Sequence, residues 1–350
     1  MFDLDKLVNH QFRLAARPVG VPDDTAWHST TAPLTAPAPG QVLVRIAYIS
    51  VDPAMRAWMN EGKSYIEPVK IGDVMRAAGA GYVVQSADER FKAGDAVTGA
   101  LGVQEFALLD ARELVKVDAA AAPLASYLNL LGLPGLTAYF GLLDIGQLKP
   151  GETVLVSGAA GAVGSAVGQI ARIKGCKVIG IAGGAEKCRH LIERLGFDAA
   201  VDYKAADARK SLASACPDGV DIYFDNVGGE ILDLALGRLR RHARVVICGA
   251  ISQYNNTAPG AGPRNYMSLL MNRARMEGFV VFDFAPRYGE ALKELSAWLF
   301  AGRLSEHADV LDGIAQFPQA LRRLFEGGNT GKMLLRLQAD APVPAAAQAA

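Results

Sequence analysis

Residues 153–187 read TVLVSGAAGAVGSAVGQIARIKGCKVIGIAGGAEK. A β-branched run enters a glycine-rich turn, an apolar-periodic segment follows, and a second β-branched run ends at another glycine pair. A strand that turns sharply into a helix and back into a strand predicts a βαβ unit, and such units build parallel sheets covered by helices. The dinucleotide fingerprint G-x-G-x-x-G falls on Ala159, Gly161 and Gly164, with alanine in place of the first glycine. Gly161 would let the backbone approach a pyrophosphate, and Gly164 would let the helix pack closely on the strand. The helix expected over 163–175 presents unpaired N–H groups and the positive end of its dipole to phosphate. Glycines alone mark turns; the flanking strand and helix make this turn a nucleotide cradle formed by Gly161, Ala162, Val163 and Gly164.

The end of the second strand selects the nucleotide. An NAD site usually has an acid there, which holds the ribose 2′-hydroxyl. Here the chain reads IAGGAEKC, so Gly183 and Gly184 leave the place open and uncharged. Lys187, one helical turn on, is able to meet a 2′-phosphate. Glu186 beside it is expected to face solvent and to suit the helix dipole. The expected cofactor is NADPH.

Strand and helix signals continue to alternate around this unit, at 186–195, 199–203, 221–225, 229–240 and 243–248. The segment SYLNLLGLPGLTAYFGLLDIGQL, from Ser126, is helical in texture with a break at Gly-Leu-Pro-Gly. The first ~125 residues differ. QVLVRIAYISV at 41–51 and parts of 79–86 and 96–109 read as strands, punctuated by Gly and Pro. Beyond residue 300 come a helix, FPQALRRLFEG, and a strand, KMLLRLQ, expected to return to the N-terminal unit. The predicted fold is α/β: a Rossmann doubly wound parallel sheet over 129–304, with a β-rich domain over 1–128 and 305–338. The tail ADAPVPAAAQAA, 339–350, reads as disordered.

Composition narrows the partners. The 350 residues suit about two domains, and 51% are hydrophobic, enough for sizeable cores. Lys and Arg number 36 against 36 Asp and Glu, which argues against a nucleic-acid partner. No apolar run approaches a membrane span of ~18–20 residues. The start, MFDLDKLVNHQF, lacks the apolar core of a signal peptide. Cys176, Cys188, Cys216 and Cys248 form no C-x-x-C pair, as expected for a reducing cytoplasm. A catalytic zinc would need Cys and His ligands gathered near the cofactor. No cysteine precedes Cys176, and the histidines of the first 150 residues, His10 and His28, stand apart from other soft ligands. No metal is expected, and no G-x-S-x-G elbow or nearby Tyr-x-x-x-Lys pair offers another chemistry.

Seven motifs carry a family resemblance: SVDPAMRAWM at 50–59, LGLPGLTAYFGL at 131–142, AAGAVGSAVGQIAR at 159–172, DNVGGE at 225–230, CGAISQYN at 248–255, RMEGFVVFDF at 275–284 and GNTGKMLL at 328–335. On these, over residues ~8 to ~338, the chain resembles the zinc-independent medium-chain dehydrogenase/reductases of the prostaglandin reductase (leukotriene B4 12-hydroxydehydrogenase) group, and within it the bacterial NADPH-dependent curcumin reductases. The resemblance implies that the β-rich part is a GroES-like catalytic domain. It implies that Lys187 and Tyr203 bind the 2′-phosphate end, although the run between them is a residue longer than in mammalian relatives. Asn226 and the turn Cys248, Gly249, Ala250, Ile251, Ser252 and Tyr254 would line the nicotinamide ribose. Phe279, Val280 and Val281 would pack along the cofactor, and Asn329 would reach it from the C-terminal segment. A homodimer through the edges of the Rossmann sheets is implied as well.

The implied reaction is hydride transfer from NADPH to the β-carbon of an α,β-unsaturated ketone or aldehyde. Charge then develops on the carbonyl oxygen, where hydrogen-bond donors suffice. Tyr254 and Tyr65 match the family's donor tyrosines, and Tyr266 is a third candidate. A phenol, with a pKa of ~10, is protonated at neutral pH. The α-proton would come from water. Two alternatives stay open: a zinc-free NADPH quinone oxidoreductase, and a non-catalytic NADPH-binding protein. The choice among curcumin, alkenals and cyclic enones rests with loops 60–72 and 254–270.

Overall fold

The structure, a computed structural model, describes residues 4–258 and 260–338. The tail expected at 339–350 lies outside the described residues. The chain divides into two compact units: residues up to Leu128 together with those from Ala308 onward, and the intervening Asn129–His307.

The first unit is built on strands. β1 (Val8–Leu14) and β2 (Trp27–Pro33) form an antiparallel pair. β3 (Gln41–Ser50) is the long central strand of a second sheet. The short helix α1 (Ala54–Trp58) follows it, and then β4 (Gly79–Ser86), β5 (Ala96–Gly99), β6 (Phe106–Asp110) and β7 (Leu114–Lys116). Eight of the ten β3 residues are buried, which is why its sequence is apolar nearly throughout.

The second unit opens with α2 (Leu133–Phe140), which has Pro134 in its first turn, where a missing N–H costs nothing. Next come β8 (Thr153–Ser157), α3 (Ala162–Ile173), β9 (Lys177–Ala182), α4 (Ala185–Glu193), β10 (Ala199–Asp202) and α5 (Ala208–Ala215). The second half holds β11 (Val220–Asp225), α6 (Gly229–Leu236), β12 (Leu239–Ile247), α7 (Met267–Asn272), β13 (Arg275–Gly278) and α8 (Tyr288–Phe300). The six strands are all parallel, in the order β10-β9-β8-β11-β12-β13. Strand order therefore reverses between β8 and β11. In an open α/β sheet, ligands bind beyond the carboxyl ends of the strands at such a reversal.

One boundary departs from the sequence reading. The helix expected over 229–240 stops at Leu236 with Gly237 as its cap, and the LRRH that follows is already strand β12. His242 adopts a left-handed φ of 64° within that strand. The motif at 275–284 is extended only to Gly278, and a 3₁₀ turn begins at Val281.

The chain then returns to the first unit through β14 (Ala308–Asp312), α9 (Phe317–Phe325) and β15 (Lys332–Arg336). β15 lies parallel to β14 and antiparallel to β3. Phe317 of α9 packs its ring against Phe12 and Trp27, with centroids 5.6 and 4.9 Å away. Lys332 is 2% exposed. Its ammonium donates to Asp52 Oδ1 at 2.6 Å and to the Val51 carbonyl at 3.0 Å. A buried charge persists only when paired in this way.

Candidate active site

The glycine-rich turn joins β8 to α3 and carries its strain one residue earlier than the sequence frame suggested. Gly158 takes the left-handed φ of 58°, so Ala159 can stand where the fingerprint has its first glycine. Ala159 donates to the Ile181 carbonyl at 3.1 Å, tying the turn to β9. A Cβ on Gly164 would lie 2.3 Å from the Gly158 oxygen, so only glycine allows α3 this close to the turn. Gly161 caps α3 without any side-chain hydrogen bond, and the first turn, which includes Ala162 and Val163, holds no acid. The first turn of α3 thus sets no carboxylate of its own against the positive end of the helix, which suits a phosphate.

Across the strand reversal, Asp225 ends β11 and is 1% exposed. Its Oδ1 accepts from the Ser157 hydroxyl (2.9 Å), the Tyr223 hydroxyl (2.6 Å), Val227 N (3.0 Å) and Gly228 N (2.9 Å). Burial first, and then the Asp225 charge, push the Tyr223 phenol well above its ordinary range, so it remains a donor. Asn226 is fixed at both ends: its N–H donates to Ser157 Oγ at 3.0 Å and its side-chain amide to the Ser157 carbonyl at 2.7 Å. Asp225 and Ser157 were not singled out from sequence. The DNVGGE motif was the available signal, but the contact between β8 and β11 that gives Asp225 its task exists only in the sheet.

The same strand end holds the turn after β12. The Asp225 carbonyl accepts from Cys248 N (2.9 Å) and Gly249 N (3.1 Å). Asn226 O accepts from Ile251 N, and Val227 O from Ser252 N, each at 3.2 Å. Ser252 Oγ adds a 2.6 Å bond to the same Val227 carbonyl. The turn closes on itself: Ala250 N–H donates to the Tyr254 phenol oxygen at 3.2 Å. A Cβ on Gly249 would come within 2.9 Å of that oxygen, so glycine is what lets the phenol fold back. Burial, followed by Asp225, pushes the Cys248 thiol up to about 12.

At the far end of the sheet, Gly183 and Gly184 separate β9 from α4, and Gly184 takes a φ of 100°. Tyr203 and Lys204 follow β10 and pack against Gly183. Lys187 stands half-buried in the first turn of α4, while Glu186 is exposed, as expected. Lys204 was not singled out from sequence, because only the pairing of β9 with β10 brings it here.

The remaining candidates divide between the units. The Phe279 ring lies among Phe224 and Phe284, each centroid 6.4 Å away, and against Gly141. Its side chain is therefore held in an aromatic cluster, leaving its backbone and the half-buried Val280 and Val281 as the surface of that stretch. Tyr266 precedes α7 and is 57% exposed. In the first unit, Tyr65 is 54% exposed and its oxygen accepts from Trp58 Nε1 at 3.4 Å. The Arg76 guanidinium lies over the Trp58 ring, 5.7 Å from its centroid. Asn329, also in the first unit, donates to the Gly331 carbonyl at 2.9 Å. Among the described residues, no group of three or more His, Cys, Asp or Glu could hold a metal ion.

A family described as the N-terminal domain of oxidoreductase matches residues 10–117, and one described as zinc-binding dehydrogenase matches 162–297. The chain is 48% identical to the putative NADP-dependent oxidoreductase YfmJ of Bacillus subtilis, covering 93% of this chain and 97% of that one. It is 41% identical to the NADPH-dependent curcumin reductase of Escherichia coli (95% and 98% covered) and 40% identical to rat prostaglandin reductase 1 (91% and 95%). The solved structure of CurA from Vibrio vulnificus in complex with NADPH superposes with a TM-score of 0.89 at 42% identity, covering 94% of this chain and 99% of that one. The chain belongs to the medium-chain dehydrogenase/reductases, in the group of the prostaglandin and curcumin reductases.

Proposed function

We propose that this protein uses NADPH to reduce the C=C bond of α,β-unsaturated ketones and aldehydes. The carrying observation is the Tyr254 phenol, held at the carboxyl edge of the sheet by the Ala250 N–H. The names of the curcumin reductase relative and of the NADPH-bound CurA support both substrate class and cofactor. The residues present fit NADPH: an uncapped α3 terminus with no acid in its first turn, and Gly183 in place of an acid beside Tyr203 and Lys204.

NADPH, when bound, supplies a hydride from its nicotinamide ring. The chain's task is to meet the charge that collects on the substrate's carbonyl oxygen as the β-carbon gains hydrogen. A phenol oxygen that accepts an N–H bond becomes a stronger O–H donor, since linked hydrogen bonds polarise one another. Tyr254 then binds the enolate oxygen more strongly than the ground-state carbonyl, which lowers the barrier. Tyr65 is the second proposed donor, its oxygen likewise accepting an N–H, from Trp58. Water delivers the α-proton and completes the saturated carbonyl product. Lys187 and Tyr203 take the 2′-phosphate end, Gly161 to Gly164 the pyrophosphate, and Asn226 with the 248–254 turn the nicotinamide ribose.

No zinc takes part in this scheme. The protein is assigned to the cytoplasm, in keeping with free thiols at Cys176, Cys188, Cys216 and Cys248. It acts as a homodimer. The support for this is β13, the outermost strand on one side of its sheet, with all four residues exposed, and the exposed Met267, Leu270 and Met271 on α7. An open edge with adjacent apolar surface invites strand pairing. Light scattering at micromolar concentration should give about twice the 37.0 kDa chain mass.

The activity test follows NADPH absorbance with an enone and, in parallel, a quinone, and identifies the product. Formation of the saturated ketone supports the reading. Turnover of the quinone alone would replace it with quinone reduction.

A further inference from the structure

An NAD-binding site normally projects a carboxylate from the end of the second strand. Gly183 holds that position here, and the space in front of it is already filled. A Cβ built on Gly183 would lie 3.0 Å from Lys204 Cε, 2.9 Å from Tyr203 Cε1 and 3.1 Å from the Tyr203 hydroxyl. The aliphatic stem of a lysine from the turn after the neighbouring strand thus occupies the place of the missing acid. Its ammonium sits 6.0 Å from the centroid of the Tyr203 ring.

This arrangement is fixed by the Asp202 carboxylate and by one backbone bond. Asp202 Oδ1 accepts from Gly184 N at 2.8 Å and from Lys204 N at 2.9 Å. Tyr203 N donates to the Ala182 carbonyl at 3.1 Å. One carboxylate oxygen therefore ties the turn after β9 to the turn after β10.

We infer that Lys204 is a second cation for the 2′-phosphate of NADPH and sets the preference for NADPH over NADH, with Asp202 as the residue that positions it. The inference rests on the NADPH reading above and deepens it. A phosphate monoester carries between one and two negative charges at neutral pH, more than a single lysine at 187 matches. Replacing a carboxylate by a lysine stem at the strand end reverses the local sign, which favours the phosphate and disfavours the bare ribose hydroxyl. Asp202 is itself an anion, but its Oδ1 is engaged by two N–H groups that hold it against the backbone.

The test uses fragment binding, which needs no turnover. Calorimetric titration with 2′,5′-ADP and with ADP is compared for wild type, Lys204→Ala, Lys204→Arg and Asp202→Ala. Lys204→Ala should weaken 2′,5′-ADP about 5- to 20-fold, the scale of a charged hydrogen bond at a partly exposed site. ADP should stay within about twofold, and the difference should shrink at high salt. Arginine at 204 should keep most of the affinity. Asp202→Ala should weaken 2′,5′-ADP selectively, with the melting temperature recorded alongside to separate positioning from unfolding. Equal weakening of both fragments in Lys204→Ala, or of neither, overturns the role of Lys204. A wild type that binds the two fragments alike brings down the NADPH reading as well.

Discussion

The backbone N–H of Ala250 donates to the phenol oxygen of Tyr254 across 3.2 Å, four residues apart in one turn. Removing the hydroxyl while keeping the ring isolates what that oxygen does. Tyr254→Phe should lower kcat about 10- to 100-fold on one enone, less than the ~10²- to 10³-fold seen for an enclosed oxyanion donor, since water rescues part of the charge. NADPH affinity should stay within about threefold, because the turns proposed to hold its phosphates follow β8 and β9 rather than β12. An unchanged kcat would move the donor role to Tyr65, which Tyr65→Phe tests beside it.

Lys187 stands one turn into α4, beyond the Gly183–Gly184 pair. Lys187→Ala should raise the KM for NADPH about 3- to 20-fold, the range for a charged hydrogen bond discounted for partial exposure. The KM for NADH should barely move. Equal rises for both cofactors would show that the lysine does not read the phosphate.

Gly164 has no room for a side chain, since a Cβ would meet backbone atoms of Gly158 and Ala159 at 2.3 and 2.8 Å. Gly164→Ala forces α3 away from the turn and should cost ~1–3 kcal/mol, as overpacking does. Both the melting temperature and NADPH affinity should fall. A variant with native stability and native affinity would mean that the helix shifts without consequence.

Activity should survive prolonged dialysis against a chelator, followed by metal analysis. The histidines of the first unit support this expectation: His10 is paired with Glu105 at 2.6 Å, and His28 is exposed on β2. Loss of activity that returns on adding zinc would replace the phenol-donor mechanism with Lewis-acid chemistry.

The proposed substrates alkylate thiolates, and this chain shields its thiols. Burial is the leading cause raising the pKa of each of Cys176, Cys188, Cys216 and Cys248, with Cys248 reaching about 12. A thiol at about 12 is only about 10⁻⁵ thiolate at pH 7, and the thiolate is the reacting form. Mass spectrometry after exposure to an enal at pH 7 should find the native chain largely unmodified and the unfolded chain alkylated. Native alkylation should rise about tenfold per pH unit, as the thiolate fraction does. Rapid modification of Cys248 at neutral pH would contradict the shielding.

Strands bounded by glycine or by clear alternation were legible: the β-branched runs on either side of the phosphate-loop helix are β8 and β9, and the strand expected within 79–86 is β4. The 229–240 segment was not, because RLRR suits a helix until pairing with β11 claims it as strand. In the candidate site, the sequence announced what depends on backbone space. Gly164 marks a position where a side chain would intrude between helix and turn. Residues that act by meeting across the sheet stayed hidden. Asp225 meets Ser157 only because β8 lies beside β11, and Lys204 reaches Gly183 only because β10 lies beside β9. Strand order in a parallel sheet is a long-range property, and a single chain read from end to end does not display it.

β15 sits between β14 and β3, and the pair Lys332–Asp52 joins residues 280 positions apart. On the ribosome, the first unit's central strand emerges long before the strand that covers its flank. At roughly 5–20 residues per second, synthesis of the intervening unit takes on the order of 10–40 seconds. Throughout that interval one side of β3 near Ser50 lacks its partner, and the acid of Asp52 lacks its lysine. The nascent protein therefore passes through an obligatory stage in which the Rossmann unit can fold as a finished internal cassette while the first unit waits open-edged, the stage at which a holding chaperone has something to bind.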